Sequence, residues 1–156
     1  MRISSLESGY GDQAVTRTLA ITRFAEPDSS FADVAAQISA GASIGAAFKN
    51  AGWTIDKPTL FIGTIELTAD ERIASRLMKI DLPASLATHA YRFEVLRNGQ
   101  RYLYATITEL HHPDYLREAD LRHIYSASLR GAAAEGAALR SGVRDTLLAM
   151  SISPAP

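Results

Sequence analysis

Six side chains that can carry protons or bind metal gather around one part of this sequence: His89, Glu109, His111, His112, Asp114 and, further on, His123. An imidazole beside a carboxylate is the raw material of a general base or of a metal site. The spacing speaks against both. Adjacent histidines on an extended stretch point to opposite sides, which is poor geometry for one ion. Neither H-x-x-x-H nor H-E-x-x-H occurs. Surface and capping roles account for these residues. If the chain has a binding site, His89, His111, His112, Asp114 and the only tryptophan, Trp53, are its candidates. No residue is assigned a catalytic role, the sequence leaves enzymatic activity undecided, and no metal or cofactor is expected.

Other chemistries lack their residues. The chain has no cysteine, which removes disulfides, thiolate metal sites and thiol nucleophiles and fits a reducing compartment. There is no G-x-S-x-G elbow and no P-loop, and Gly9-Tyr10-Gly11 lacks the third glycine of a dinucleotide fingerprint. Tyr91, Phe93, Tyr102 and Tyr104 would suit a base-stacking platform. A net charge of −1 without a basic stripe favours core packing for them, so no nucleic acid is expected as partner. The first residues, MRISSLESGYGDQ, lack an apolar signal core, and no run reaches the ~20 apolar residues of a membrane span. A cytoplasmic protein with no membrane contact is expected. Alanine richness and the preference for Arg over Lys point to a GC-rich bacterial genome.

The element that must position these groups is Tyr91–Leu110. Two runs of β-branched and aromatic residues flank Asn98-Gly99, the strongest short-range signal for a hairpin. With that pair at the turn, Arg97 faces Gln100, Val95 faces Tyr102, Phe93 faces Tyr104, Tyr91 faces Thr106 and His89 faces Thr108. The face carrying Tyr91, Phe93, Val95, Tyr102 and Tyr104 is aromatic and belongs inside.

Around the hairpin, Met1–Gln13 reads as a loose lead-in. Ala14–Phe24 alternates as a strand, and Pro27-Asp28 marks a turn. A helix capped by Ser30 runs to Asn50, with Gly41 and Gly45 letting it lie close against a sheet. Gly52 closes it, and Trp53 clamps its end. Thr59–Leu67, apolar on both faces, reads as a central strand in which Gly63 marks a bulge or a close backbone approach. T-x-x-E at Thr68–Glu71 predicts a short helix over Ala69–Lys79, with a strand at Leu77–Leu82 as the rival. Ala84–His89 reads as a connection. Pro113 suits a helix start, and Tyr115–Met150 reads as one long helix or two, packing on a second copy of the chain. Ser151–Pro156 is a frayed tail.

At 156 residues the sequence reads as one α+β domain over 1–156: an antiparallel sheet with an Asn-Gly hairpin, one long helix packed on it and a long C-terminal helix. The order strand, helix, then antiparallel strands through TLFIGTIEL and the hairpin resembles the hot-dog fold of acyl-thioester dehydratases and thioesterases over Ala14–Leu110. The resemblance rests on element order. It implies a central helix wrapped by a sheet, with acids, amides or histidines near that helix acting on an acyl or aromatic thioester between two subunits. Asp33, Gln37 and Asn50 lie on the helix stretch, and none matches a motif of that family. The first expectation is therefore a non-catalytic binding or interaction protein, of adaptor, chaperone or immunity type. It would act as a homodimer with a protein partner or a small apolar ligand. The thioester protein is the alternative.

Overall fold

Six antiparallel strands form one sheet in the computed structural model, which describes residues 1–9, 14–128 and 136–152. The strands are β1 (Arg2–Ser8), β2 (Val15–Phe24), β3 (Thr54–Asp56), β4 (Thr59–Leu67), β5 (Ala84–Arg97) and β6 (Gln100–His111). Their order is β1-β2-β6-β5-β3, and β4 also pairs with β5, beside β3. Among the described residues, five α-helices accompany them: α1 (Ala32–Ser39), α2 (Ile44–Asn50), α3 (Arg72–Met78), α4 (Glu118–Ile124) and α5 (Gly136–Ile152). None of the described helices is long and apolar enough to cross a membrane.

β5 and β6 turn back on each other at Asn98 and Gly99, whose φ values of 51° and 78° lie in the left-handed region that Asn tolerates and Gly adopts freely. Arg97 opposes Gln100 and Val95 opposes Tyr102, as read from the sequence. Beyond that point the register differs. The pairing shifts between Phe93 and Glu94: Glu94 opposes Leu103 but Phe93 opposes Ala105. Tyr104 is the extra residue of a β-bulge, so Tyr91 faces Ile107 and His89 faces Glu109 rather than Thr108. A one-residue slip moves every later side chain of β6 to the other face.

Each face of the sheet has its own cover. On one face Leu19, Ile21, Ile65, Leu67, Leu86 and Leu110 pack against Ile73, Ala74 and Met78 of α3 and Val143 and Leu147 of α5. On the other, Phe93, Val95 and Ile107 pack against Phe31, Val34 and Ile38 around α1 and Ala47 and Phe48 of α2. Further along that same face, Ile62 and Ala87 pack against Leu121 of α4. Edge-to-face rings bind the aromatic end together, with Tyr104 5.4 Å from Phe31 and 4.7 Å from Phe48 between centroids. The four aromatic residues of the hairpin are thus in or against the core and not a bare platform.

Several expectations are corrected. Met1–Gln13 is no loose lead-in: Arg2–Ser8 is an edge strand, and its Arg2 guanidinium donates to Ala42 O at 3.3 Å beside the end of α1. Residues 10–13 lie outside the described residues. The single helix Ser30–Asn50 is two. Gly41, at φ 104°, ends α1: its N–H donates to Ile38 O and that of Ala42 to Gln37 O, both at 3.0 Å, the paired bonds of a Schellman cap. A Cβ on Gly41 or Gly45 would meet nothing within 4 Å, so neither glycine serves close packing on the sheet. Asp28, not Ser30, caps the opening turn, accepting from Ser30 N–H at 2.8 Å. At Gly63 the close neighbour is a side chain, because a Cβ there would lie 2.5 Å from Cζ of Phe61. Of the two readings of 69–82, the helix is present as α3, and Ala84–His89 belongs to β5 and not to a connection. The stretch Tyr115–Met150 is not one helix. A turn follows Pro113, α4 begins only at Glu118, and a 3-10 turn follows at Ser126–Ser128. Residues 129–135 lie outside the described residues, as do 153–156, while Ser151 and Ile152 close α5.

Candidate functional site

The Tyr104 bulge is what assembles the polar cluster. Residues directly opposite each other across a ladder share a face. Thr18 of β2 lies opposite His111 of β6, His111 opposite Ala87 of β5, Glu109 opposite His89, and His89 opposite Ile62 of β4. Without the extra residue, Glu109 and His111 would point to the opposite face from His89 and Tyr91. With it, all four stand on one face, between the α1–α2 pair and α4.

His89 and His111 are only 1% and 4% exposed. Each ring has one nitrogen engaged: His89 Nε2 lies 3.1 Å from Thr59 Oγ1, and His111 Nδ1 lies 3.0 Å from Thr18 Oγ1. The remaining nitrogens, Nδ1 of His89 and Nε2 of His111, are buried and have no hydrogen-bond partner among the described residues. Glu109 lies between them in the sheet. Its Oε1 accepts from the Tyr91 hydroxyl at 3.0 Å, and its Oε2 lies 3.9 Å from His111 Nε2. That gap is too long for a hydrogen bond and short enough for one polar atom to bridge. Tyr125, directly after α4, stacks on His89 with centroids 3.9 Å apart, and Tyr91 lies at 4.9 Å. Lys57 stands at the rim, its Nζ 5.3 Å from the centre of the Tyr91 ring.

Burial sets the protonation states. It pushes His89 down to about 4, with His111 and Lys57 adding to the shift, and it pushes His111 down to about 4 as well. Both rings are therefore neutral at neutral pH, each with one N–H and one bare nitrogen. Burial raises Glu109, against the opposing pull of the Tyr91 hydroxyl and Lys57. The Tyr91 hydroxyl is pushed far up by burial and by Glu109, and Tyr125 is raised by burial, Glu109 and Tyr115. A useful general base has its pKa near the working pH. Two imidazoles near 4 and hard-to-ionise phenols are poor proton-transfer partners at neutral pH but good neutral hydrogen-bonding groups.

The other candidates lie apart from this cluster. His112 is buried, yet it serves the chain itself, its Nδ1 accepting from Asp114 N–H at 3.1 Å in the turn after β6. The Asp114 side chain is 83% exposed. Trp53 packs into the aromatic core, with its ring 6.1 Å from Phe31 and 5.7 Å from Tyr102 and with Arg97 over it at 5.4 Å. Its backbone N–H donates to Phe48 O at the end of α2. His123, Asp33, Gln37 and Asn50 are exposed. A surface role for His89, His111 and His112 is thus corrected: all three are buried. The sequence reading passed over Thr18, Thr59, Lys57 and Tyr125 as site residues. Thr18 lies opposite His111 and Thr59 opposite Tyr91, and neither placement is legible until the register is known; Lys57 and Tyr125 carry no signal in the sequence. Among the described residues, no group of three His, Asp or Glu side chains is placed to hold a metal ion.

Compared with known proteins, the chain matches no family model, no curated protein and no solved structure.

Proposed function

We propose that this chain is a non-catalytic binding protein whose ligand places a polar group against His89 and His111. The observation that supports this is the pair of buried ring nitrogens without partners among the described residues, from two side chains on one sheet face, with the His111 nitrogen 3.9 Å from the Glu109 carboxylate. Buried polar atoms are nearly always paired, and leaving one unpaired costs about 1–3 kcal/mol. A few convergent polar groups within an aromatic and aliphatic surround are the usual anatomy of a small-ligand site. The neutral state of both rings favours holding a molecule over transforming it. This narrows the expected adaptor-like role to small-ligand binding. The thioester alternative draws less support, since Asp33, Gln37 and Asn50 are exposed and away from the cluster.

Native mass spectrometry of protein purified from its own host tests the proposal. The expected result is a one-to-one retained small molecule that is lost from the His89→Gln, His111→Gln double variant while the far-ultraviolet circular dichroism stays unchanged. A wild-type mass equal to the bare chain, or a retained molecule indifferent to both substitutions, would overturn it.

A further inference from the structure

We infer that the cluster takes an uncharged, ring-bearing ligand with both a hydrogen-bond donor and an acceptor, such as an aromatic carboxamide or lactam. The inference rests on the reading of the cluster as a ligand site. Charge excludes ions from both directions. An anion placed at Nδ1 of His89 and Nε2 of His111 would stand against Glu109, whose Oε2 is 3.9 Å from the His111 nitrogen. A cation would meet Lys57, whose Nζ sits over the Tyr91 ring at the rim. Neither neutral imidazole offers a counter-charge, and whichever of Glu109 and Lys57 attracts an ion is offset by the other, so an ion would surrender its water for little net gain. A purely apolar molecule fails for the converse reason, because it would cover both ring nitrogens and pair neither.

Hydrogen-bond complementarity points the same way. Glu109 Oε2 wants a donor whenever it is ionised. Each imidazole presents one nitrogen whose role is set by the tautomer that its threonine selects. A carboxamide carries its acceptor and its donor side by side and satisfies either choice. The ring is called for by the surroundings: Tyr125 and Tyr91 flank His89, Tyr115 stands 6.4 Å from His111, and Leu116 and Leu121 close the apolar side. Because Tyr125 stacks on His89 and both unpaired nitrogens are sealed from solvent, the ligand enters only when the segment carrying α4 and Tyr125 shifts.

Four probes of one shape test the class: benzamide, benzoate, benzylammonium and toluene, titrated calorimetrically into the full chain at pH 7.5. Protein refolded from denaturant, and so stripped of any retained molecule, is used throughout. Benzamide is expected to bind at least tenfold more tightly than the other three and to lose that advantage in His89→Gln and in His111→Gln, tested singly. Stronger binding of benzoate or benzylammonium that still depends on the two histidines would overturn the class and leave the site standing. Absence of binding by all four probes overturns the class. Equal binding by all four that is indifferent to both substitutions overturns the class, and the site falls with it if no retained molecule is found in protein from the host.

Discussion

At the scale of single residues, the two buried imidazoles have a consequence for stability. Their folded pKa values, about 4, lie below the ordinary value of 6.5. As pH falls through 6.5 the unfolded chain takes up protons that the folded chain refuses, so stability drops. The loss begins near 6.5 and is complete below about 4. By pH 5 it amounts to on the order of 2 kcal/mol per ring. Glu109 works in the opposite sense. Its folded pKa is raised, so the penalty it carries at neutral pH is relieved as it protonates. Urea unfolding at pH 7 and pH 5 is expected to show a net loss in the wild type that is smaller in His89→Gln and His111→Gln. Identical pH dependence in wild type and variants would show that neither ring is held neutral. From sequence these histidines looked like surface residues. Their burial follows from the length of the strands: β5 begins at Ala84, so His89 lies within it and under Tyr125, and β6 runs on to His111; strand length is where composition is least informative.

Among the elements, what was legible and what was not divides along physical lines. The turn at Asn98-Gly99 was legible because few residues accept positive φ there. α3 was legible from Thr68 and Glu71, although their contact differs from the expected box. Glu71 Oε2 accepts from both the backbone and the hydroxyl of Thr68, at 2.7 and 2.6 Å. The break between α1 and α2 was misread because a glycine amid alanines looks like a packing device. Gly41 followed by Ser43 is better read as a stop and a start. β1 was missed because an edge strand carries little apolar signal. The bulge at Tyr104 left no signal in the sequence; there the ring packs between Phe31 and Phe48, and the site depends on the shift in register. α5 shows how one side chain fastens an element. Its Arg144 donates through Nε to Oε1 of the fully buried Glu71 at 3.1 Å. Burial raises Glu71, and the bonds from Thr68 and Arg144 overcome it, leaving the carboxyl below its usual range. Arg144→Ala removes one of those bonds and is expected to cost about 2 kcal/mol. It should also speed amide exchange across Val143–Leu147 while β2, β5 and β6 remain protected. Unchanged exchange in α5 would mean that Val143 and Leu147, with the Arg23 bonds to Gly142 O and Thr146 Oγ1, hold it without Arg144.

For the whole molecule, the two faces of one sheet do different work. The face under α3 and α5 is an aliphatic core. The face under α1, α2 and α4 passes from an aromatic core at one end to the His89–Glu109–His111 group at the other. The aliphatic face and the aromatic end supply the hydrophobic driving force, leaving the polar end free to carry groups that a folding argument alone does not require. The measurement that bears most directly on this division is imidazole nitrogen-15 NMR of the chain as purified from its host and again after unfolding and refolding without ligand. The account predicts two neutral rings from pH 7 down to pH 5. It also predicts that Nδ1 of His89 and Nε2 of His111 move between the two preparations, while the nitrogens bonded to Thr59 and Thr18 stay fixed. A protonated ring at pH 6, or superimposable spectra from the two preparations, would contradict it.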